Sequence, residues 1–232
     1  MPRRPLVRAL IALVALSASA CTTTVPGAPL AGPAAAEETT SGPTTTCAFT
    51  GNGDTPDKDV DPPSGRDVRA DGTVRFTVDT DRGALEFEFD AASAPCSVHS
   101  FGSLAEQGFF DGTSCHRLTV SGLFVLQCGD ATGTGRGSAG YKFDDPDAVP
   151  GEYARGVVAV ANQGSPGTNG SQFFIVHRDS ALDPDYPIMG RVTKGMDVID
   201  EVAAAGVVPG SGLGEGDGKP VRPITLKSVE KE

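Results

Sequence analysis

The chain has 232 residues, a formal net charge of −11 and 38% hydrophobic residues, with 30 glycines and 18 prolines. Displacing counterions from nucleic-acid phosphates or docking on an anionic membrane needs a positive surface, so this net charge argues against nucleic-acid binding as the main function and against membrane docking through a basic patch. Its composition also excludes collagen, coiled coils and multi-span membrane proteins, and its length fits one domain with appendages.

In chain order, Arg3, Arg4 and Arg8 precede an apolar run from Ala9 to Ala20 that ends in Ala18-Ser19-Ala20. That run is too short to cross a bilayer, which takes about 20 residues, and has the layout of a secretory signal peptide over residues 1–20. Cys21 follows at once. A small residue before Cys resembles the lipobox of bacterial lipoproteins, with Ala18 where Leu is usual; plain signal-peptidase cleavage is the alternative. Cysteine parity favours lipidation. Without Cys21, the remaining Cys47, Cys96, Cys115 and Cys128 suffice for two disulfides in an oxidising compartment. The expected location is the outer face of the cytoplasmic membrane, with membrane contact only through the lipid anchor. Secretion without an anchor is the alternative.

Residues 21–67 read as the anchored, flexible linker, because they have no hydrophobic period and cannot offset the entropy of ordering. Asp57, Asp59 and Asp61 imitate the start of a calcium loop, but Pro62 and Val68 stand where Gly and Glu are needed.

Residues 68–232 read as one domain. Val74, Phe76 and Val78, then Leu85, Phe87 and Phe89, alternate on either side of Asp81-Arg82-Gly83, which predicts a hairpin with one buried face. Val98, Phe101, Leu104 and Ala105 fall at helical spacing between Pro95 and Gly108. Strands are expected over 114–120, 123–128, 156–161, 171–177 and 221–229, and a second helix around Met196, Ile199 and Val202. The expected architecture is mainly β: an eight-stranded, antiparallel, closed barrel capped by two helices.

Gly135-x-Gly137-x-x-Gly140 matches a dinucleotide-binding string, but no βαβ unit surrounds it, so it reads as a loop. His99, His116 and His177 show no zinc spacing, and there is no Gly-x-Ser-x-Gly elbow. No metal and no cofactor is expected.

Three segments carry the functional signal: SFGSLAEQGFFDGTSCHR (100–117), GLFVLQCGDATGTG (122–135) and GVVAVANQGSPGTNGSQFFI (156–175). A weaker fourth is ALDPDYPIMGRVTKGM (181–196). In this order and spacing they closely resemble the cyclophilin family of peptidyl-prolyl isomerases, and the cysteine pattern looks like that of the exported cyclophilins of actinobacteria. The resemblance implies cis/trans isomerisation of X-Pro bonds in proline-containing polypeptides, by a monomer. It implies Arg117 as the catalytic residue. Phe124, Val125, Phe174, Leu182 and Tyr186 match the proline pocket, and Gln127, Gln172, Ala161 and Asn162 match residues that hold the substrate backbone. His116 reads as a structural, hydrogen-bonded residue. A proline-binding scaffold with little turnover is the alternative reading.

Cys115 and Cys128 lie on consecutive strands, where a cross-strand disulfide could brace Arg117 and Gln127. A regular hairpin pairing 115 with 128 would put Gln127 on the face opposite Arg117, so a bulge or another register is required. Cys47 would then pair with Cys96 by elimination; on sequence alone the connectivity stays open. Ala181 stands where the family often has the Trp that helps to hold cyclosporin. The expected outcome is weak inhibition by that drug with isomerase activity retained; an inhibition constant in the nanomolar range would contradict it.

Overall fold

The structure is a computed structural model and describes residues 42–183 and 185–232. The expected signal peptide, Cys21 and the first part of the linker lie outside the described residues. The strands before the first helix are β1 (Thr44–Thr45), β2 (Thr50–Gly51), β3 (Val68–Arg69), β4 (Thr73–Thr80) and β5 (Leu85–Asp90). Helix α1 (Pro95–Glu106) follows, then β6 (Thr113–Ser114), β7 (Arg117–Thr119), β8 (Val125–Cys128), β9 (Tyr141–Lys142), β10 (Val157–Val160), β11 (Phe173–Val176) and β12 (Ile188–Lys194). Helix α2 (Met196–Ala204), β13 (Asp217–Gly218) and β14 (Thr225–Lys231) complete the chain.

Ten strands form one sheet in the order β13, β7, β8, β11, β10, β12, β5, β4, β14, β6. The expected closed eight-stranded barrel is thus corrected to a ten-stranded half-barrel. The cause is local. Residues 113–119 change partner midway, with β6 paired to β14 and β7 paired to β8. The Cys115 N–H donates to the Ile224 carbonyl and the His116 N–H to the Gln127 carbonyl, both at 3.0 Å. The ladder breaks between these two bonds, and β13 occupies the free edge of β7.

The hairpin forms where alternation predicted it, with Phe76 opposite Phe87 and Val78 opposite Leu85. Its inner face meets α1 through Phe101, whose ring lies 4.9 Å from Phe76, 5.0 Å from Phe89, 4.8 Å from Phe110 and 5.3 Å from Phe173. Three of these pairs are edge-on and the Phe110 pair is stacked; each such pair adds roughly 0.5–1.5 kcal/mol beyond burial, so Phe101 ties the helix to the sheet. Pro95 opens α1, and no side chain of its own caps it. The buried Asp145 carboxylate does so from a distant loop, accepting the Ser97 N–H at 2.8 Å. Burial raises the Asp145 pKa against these hydrogen bonds.

Residues 42–67 depart from the flexible linker that composition suggested. β1 pairs with β3 and β2 with β9, Val60 and Cys47 are buried, and Cys47 is bonded to Cys96 at the start of α1. A disulfide and two short ladders replace the hydrophobic period that the sequence lacks. Asp57, part of the calcium-like string, accepts the backbone N–H of Ser138. The arm and the domain are therefore one folded unit from residue 42 onward. Replacing Cys47 and Cys96 by Ser removes a constraint spanning 49 residues and is expected to lower the unfolding free energy by about 2–5 kcal/mol, measured by urea denaturation.

Candidate active site

Arg117 and Gln127 are direct partners across β7 and β8. Continuing that register would set His116 against Cys128, yet Cys115 is the residue bonded to Cys128. One extra residue at Cys115–His116 therefore lets the disulfide and the Arg117–Gln127 pair coexist, as a bulge does. Phe174 lies opposite Gln127 on the other side of β8, and β11 places Phe173 and Phe174 on opposite faces. Phe173 joins the main core, while Phe174 joins a second, smaller apolar cluster with Val125, Tyr153, Ala159 and Val176. Ala161, Leu182 and Tyr186 pack against that second cluster at its rim.

Polar side chains run along the rim in a directional line. Arg117 donates from Nε to Asp217 Oδ1 at 2.9 Å and from Nη2 to Asp217 Oδ2 at 2.8 Å. Its Nη1 donates to Gln127 Oε1 at 3.3 Å. Gln127 Nε2 donates to Gln172 Oε1 at 2.8 Å, and Gln172 Nε2 to the carbonyls of Gly135 and Gly137 at 3.2 and 3.3 Å. The guanidinium only donates, so the orientation of both amides is forced from one end. At the other end the buried Asp130 shapes the glycine loop, accepting from the Thr132 N–H and hydroxyl at 2.7 and 2.8 Å and from the Gly135 N–H. Burial raises the Asp130 pKa, but these bonds outweigh it and leave a net lowering. The Asp217 hydrogen bonds raise the Arg117 pKa further.

Gln127, Gln172, Ala161 and Asn162 line one cleft of about 330 Å³, together with Gly135–Ser138 and, from the arm, Asn52 and Asp54. The glycine string that resembled a nucleotide motif is therefore a wall of this cleft. Asn162 and Tyr186 also line a second cleft of about 240 Å³. Phe124 lies outside the apolar cluster, edge-on to His177 at 5.9 Å and beneath the Arg178 guanidinium at 4.2 Å. His116 differs from expectation. Among the described residues neither of its buried ring nitrogens has a hydrogen-bond partner. The described residues contain no group of three or more His, Cys, Asp or Glu placed to hold a metal ion.

Sequence reasoning missed Asp217, Tyr153 and the arm residues. Asp217 sits in a glycine-rich stretch with no hydrophobic period, and only the β13–β7 pairing brings it to Arg117. The Tyr153 hydroxyl donates to the Tyr186 carbonyl at 2.9 Å and accepts the Tyr186 N–H at 3.1 Å, which fixes that side of the apolar cluster.

The family model for cyclophilin type peptidyl-prolyl cis-trans isomerase/CLD matches residues 73–231. The chain belongs to the cyclophilin family. It is 39% identical over 198 residues to the probable peptidyl-prolyl cis-trans isomerase B of Mycobacterium leprae, covering 79% of this chain and 65% of that protein. It is 44% identical over 192 residues to the protein of the same name from Mycobacterium tuberculosis, covering 75% of this chain and 61% of that one. The chain thus spans somewhat under two thirds of these relatives' own length. Among solved structures, a cyclophilin type peptidyl-prolyl cis-trans isomerase from Cryptosporidium parvum matches with a TM-score of 0.58 at 28% identity, covering 69% of this chain and 98% of that one. The same Cryptosporidium parvum protein in the presence of the dipeptide Ala-Pro matches with a TM-score of 0.57 at 28% identity, over 68% of this chain and 98% of that one.

Burial lowers the pKa of both His116 and His177 below the ordinary 6.5. In the unfolded chain both take up protons near that value, so acid favours unfolding. The stability they contribute is full above about pH 6.5 and is lost as pH falls through their lower folded values. The thermal midpoint is expected to fall from pH 7 towards pH 5, and His116→Gln to flatten that fall. An unchanged slope in the variant would contradict this.

Proposed function

We propose that the protein is a peptidyl-prolyl cis-trans isomerase acting on X-Pro bonds of exported polypeptides. The observation that carries this reading is Arg117, clamped by Asp217 and by Gln127, whose strand neighbour Phe174 belongs to the smaller apolar cluster. Amide resonance sets the uncatalysed barrier at about 18–20 kcal/mol. Rotation passes through a twisted amide whose nitrogen is pyramidal and a better acceptor. A fixed donor aimed at that nitrogen binds the twisted state more strongly than the planar one and so lowers the barrier.

Arg117 suits the task on count alone. A guanidinium has five N–H groups; two go to Asp217 and one to Gln127, leaving one on Nη1 and one on Nη2 for substrate. The Phe174, Val125, Leu182 and Tyr186 cluster would take the prolyl ring, and the amides of Gln127, Gln172 and Asn162 with the backbone of Ala161 would hold the flanking peptide. No nucleophile is consumed and no cofactor is required. The dipeptide Ala-Pro, in whose presence the Cryptosporidium parvum structure was solved, is a molecule of this chemical class.

Export with a lipid anchor on Cys21 fits the positive start, the short apolar run and the cysteine count. The four other cysteines are all paired with one another, which suits an oxidising compartment. The test is exchange NMR on a short X-Pro peptide. Wild type should accelerate exchange, and Arg117→Ala should lose roughly 10²–10³-fold while binding the peptide within a fewfold of wild type. Binding without acceleration in either protein would favour the scaffold reading.

A further inference from the structure

The stretch Val208–Val221 within the loop between α2 and β14 adds little to the core, which takes Val207 and Ile224 from either side of it: Val208 is 41% exposed, Leu213 90% and Val221 51%. Its backbone is nevertheless tightly fixed. The Val120 N–H donates to the Gly216 carbonyl at 2.8 Å, and the Lys219 N–H to Ser211 Oγ at 2.8 Å. Gly216 has φ of +76°, a conformation that disfavours any side chain, and a side chain at Gly212 would collide with the Asp217 carbonyl. β13 lies against β7 with Asp217 opposite Thr119. Burial of apolar surface does not account for the fixed backbone of this stretch, whereas delivery of Asp217 to Arg117 does. The Asp217 side chain is 17% exposed, and both its oxygens are engaged by one guanidinium. This is a planar, two-point clamp rather than a loose surface ion pair.

We infer that Asp217 is the positioning residue of the isomerase site, fixing which edge of the Arg117 guanidinium faces the prolyl nitrogen. The inference rests on the isomerase reading above. A single point of attachment would let the guanidinium rotate about its bonds. Two points, at Nε and Nη2, hold its plane and leave Nη1 turned towards Gln127, which lines the larger cleft. Because Gln127 accepts from Nη1, the same clamp sets the Gln127 amide, and through it the Gln172 amide. Asp217 touches no substrate in this scheme and acts through Arg117. Loss of alignment should therefore fall on turnover more than on binding, since misplacement of a reacting donor by about 1 Å can cost on the order of 100-fold.

The experiment uses the full, oxidised chain and its Asp217→Ala and Asp217→Asn variants. Three quantities are read: kcat for a short X-Pro peptide, its Kd, and solvent exchange of the Arg117 Nε–H by NMR. With Asp217→Ala, kcat should fall by about 10-fold or more, Kd should stay within about twofold, and Nε–H exchange should rise by about 10-fold. Asp217→Asn keeps the shape and one acceptor, so all three readings should lie between those of Asp217→Ala and wild type. It also carries the test if the Ala variant does not fold. Wild-type kcat in both variants would overturn the inference. So would a fall in kcat with the Nε–H still protected, because the effect would then not pass through Arg117. Absence of turnover in wild type would instead overturn the isomerase reading, and Nε–H exchange would still decide whether Asp217 aligns Arg117.

Discussion

A guanidinium that is one third exposed between two strands must find acceptors for its N–H groups, and Arg117 finds them in a fixed order. Asp217 takes two, Gln127 takes one, and the line continues through Gln172 to the glycine loop shaped by Asp130. Both ends of the line are carboxylates, and every intermediate group has its donors and acceptors assigned by its neighbours. Such a network tolerates few alternatives, because reversing either amide would set donor against donor. The rest of the site follows from this constraint. The bulge at Cys115–His116 brings Arg117 opposite Gln127, and the Cys115–Cys128 bond holds the two strands beside it. The arm of residues 42–67 holds the loop from outside through the Asp57 and Asn52 bonds to Ser138.

The apolar side chains divide into two populations for an equally physical reason. Successive residues of a strand face opposite ways. In β11, Phe173 therefore enters the aromatic core around Phe101, and Phe174 enters the cluster at the rim. The large core is closed off by α1 and the hairpin. The small cluster is bordered by the two clefts, of which the larger is polar, and by the Tyr153 hydroxyl, which grips both sides of the Tyr186 peptide. An apolar patch rimmed by fixed donors and acceptors is what recognition of a prolyl ring within a polar peptide backbone calls for.

Where local pattern governs, the sequence was legible. Alternation marked β4 and β5, and helical spacing with Pro95 marked α1. The motif residues Arg117, Gln127, Gln172 and Phe174, grouped in the sequence only through the family resemblance, are close together in the structure. What stayed hidden depends on long-range pairing. β13 and β9 are two residues long and have no period to detect. Asp217 is one carboxylate in a glycine-rich loop, meaningful only once it lies 2.8 Å from a residue 100 positions earlier. The arm looked like a tether because it is ordered by a disulfide and backbone ladders, neither of which leaves a hydrophobic pattern. The half-barrel replaced the closed barrel because one segment splits its hydrogen bonds between β14 and β8, a choice no propensity encodes.

The most direct measurement is a crystal structure of the oxidised protein with bound Ala-Pro dipeptide. The account predicts the prolyl ring against Phe174 and Val125, the free edge of Arg117 facing the prolyl nitrogen, and the Asp217 clamp unbroken. A dipeptide seated elsewhere, or an Arg117 side chain swung away from Asp217 to meet it, would contradict it.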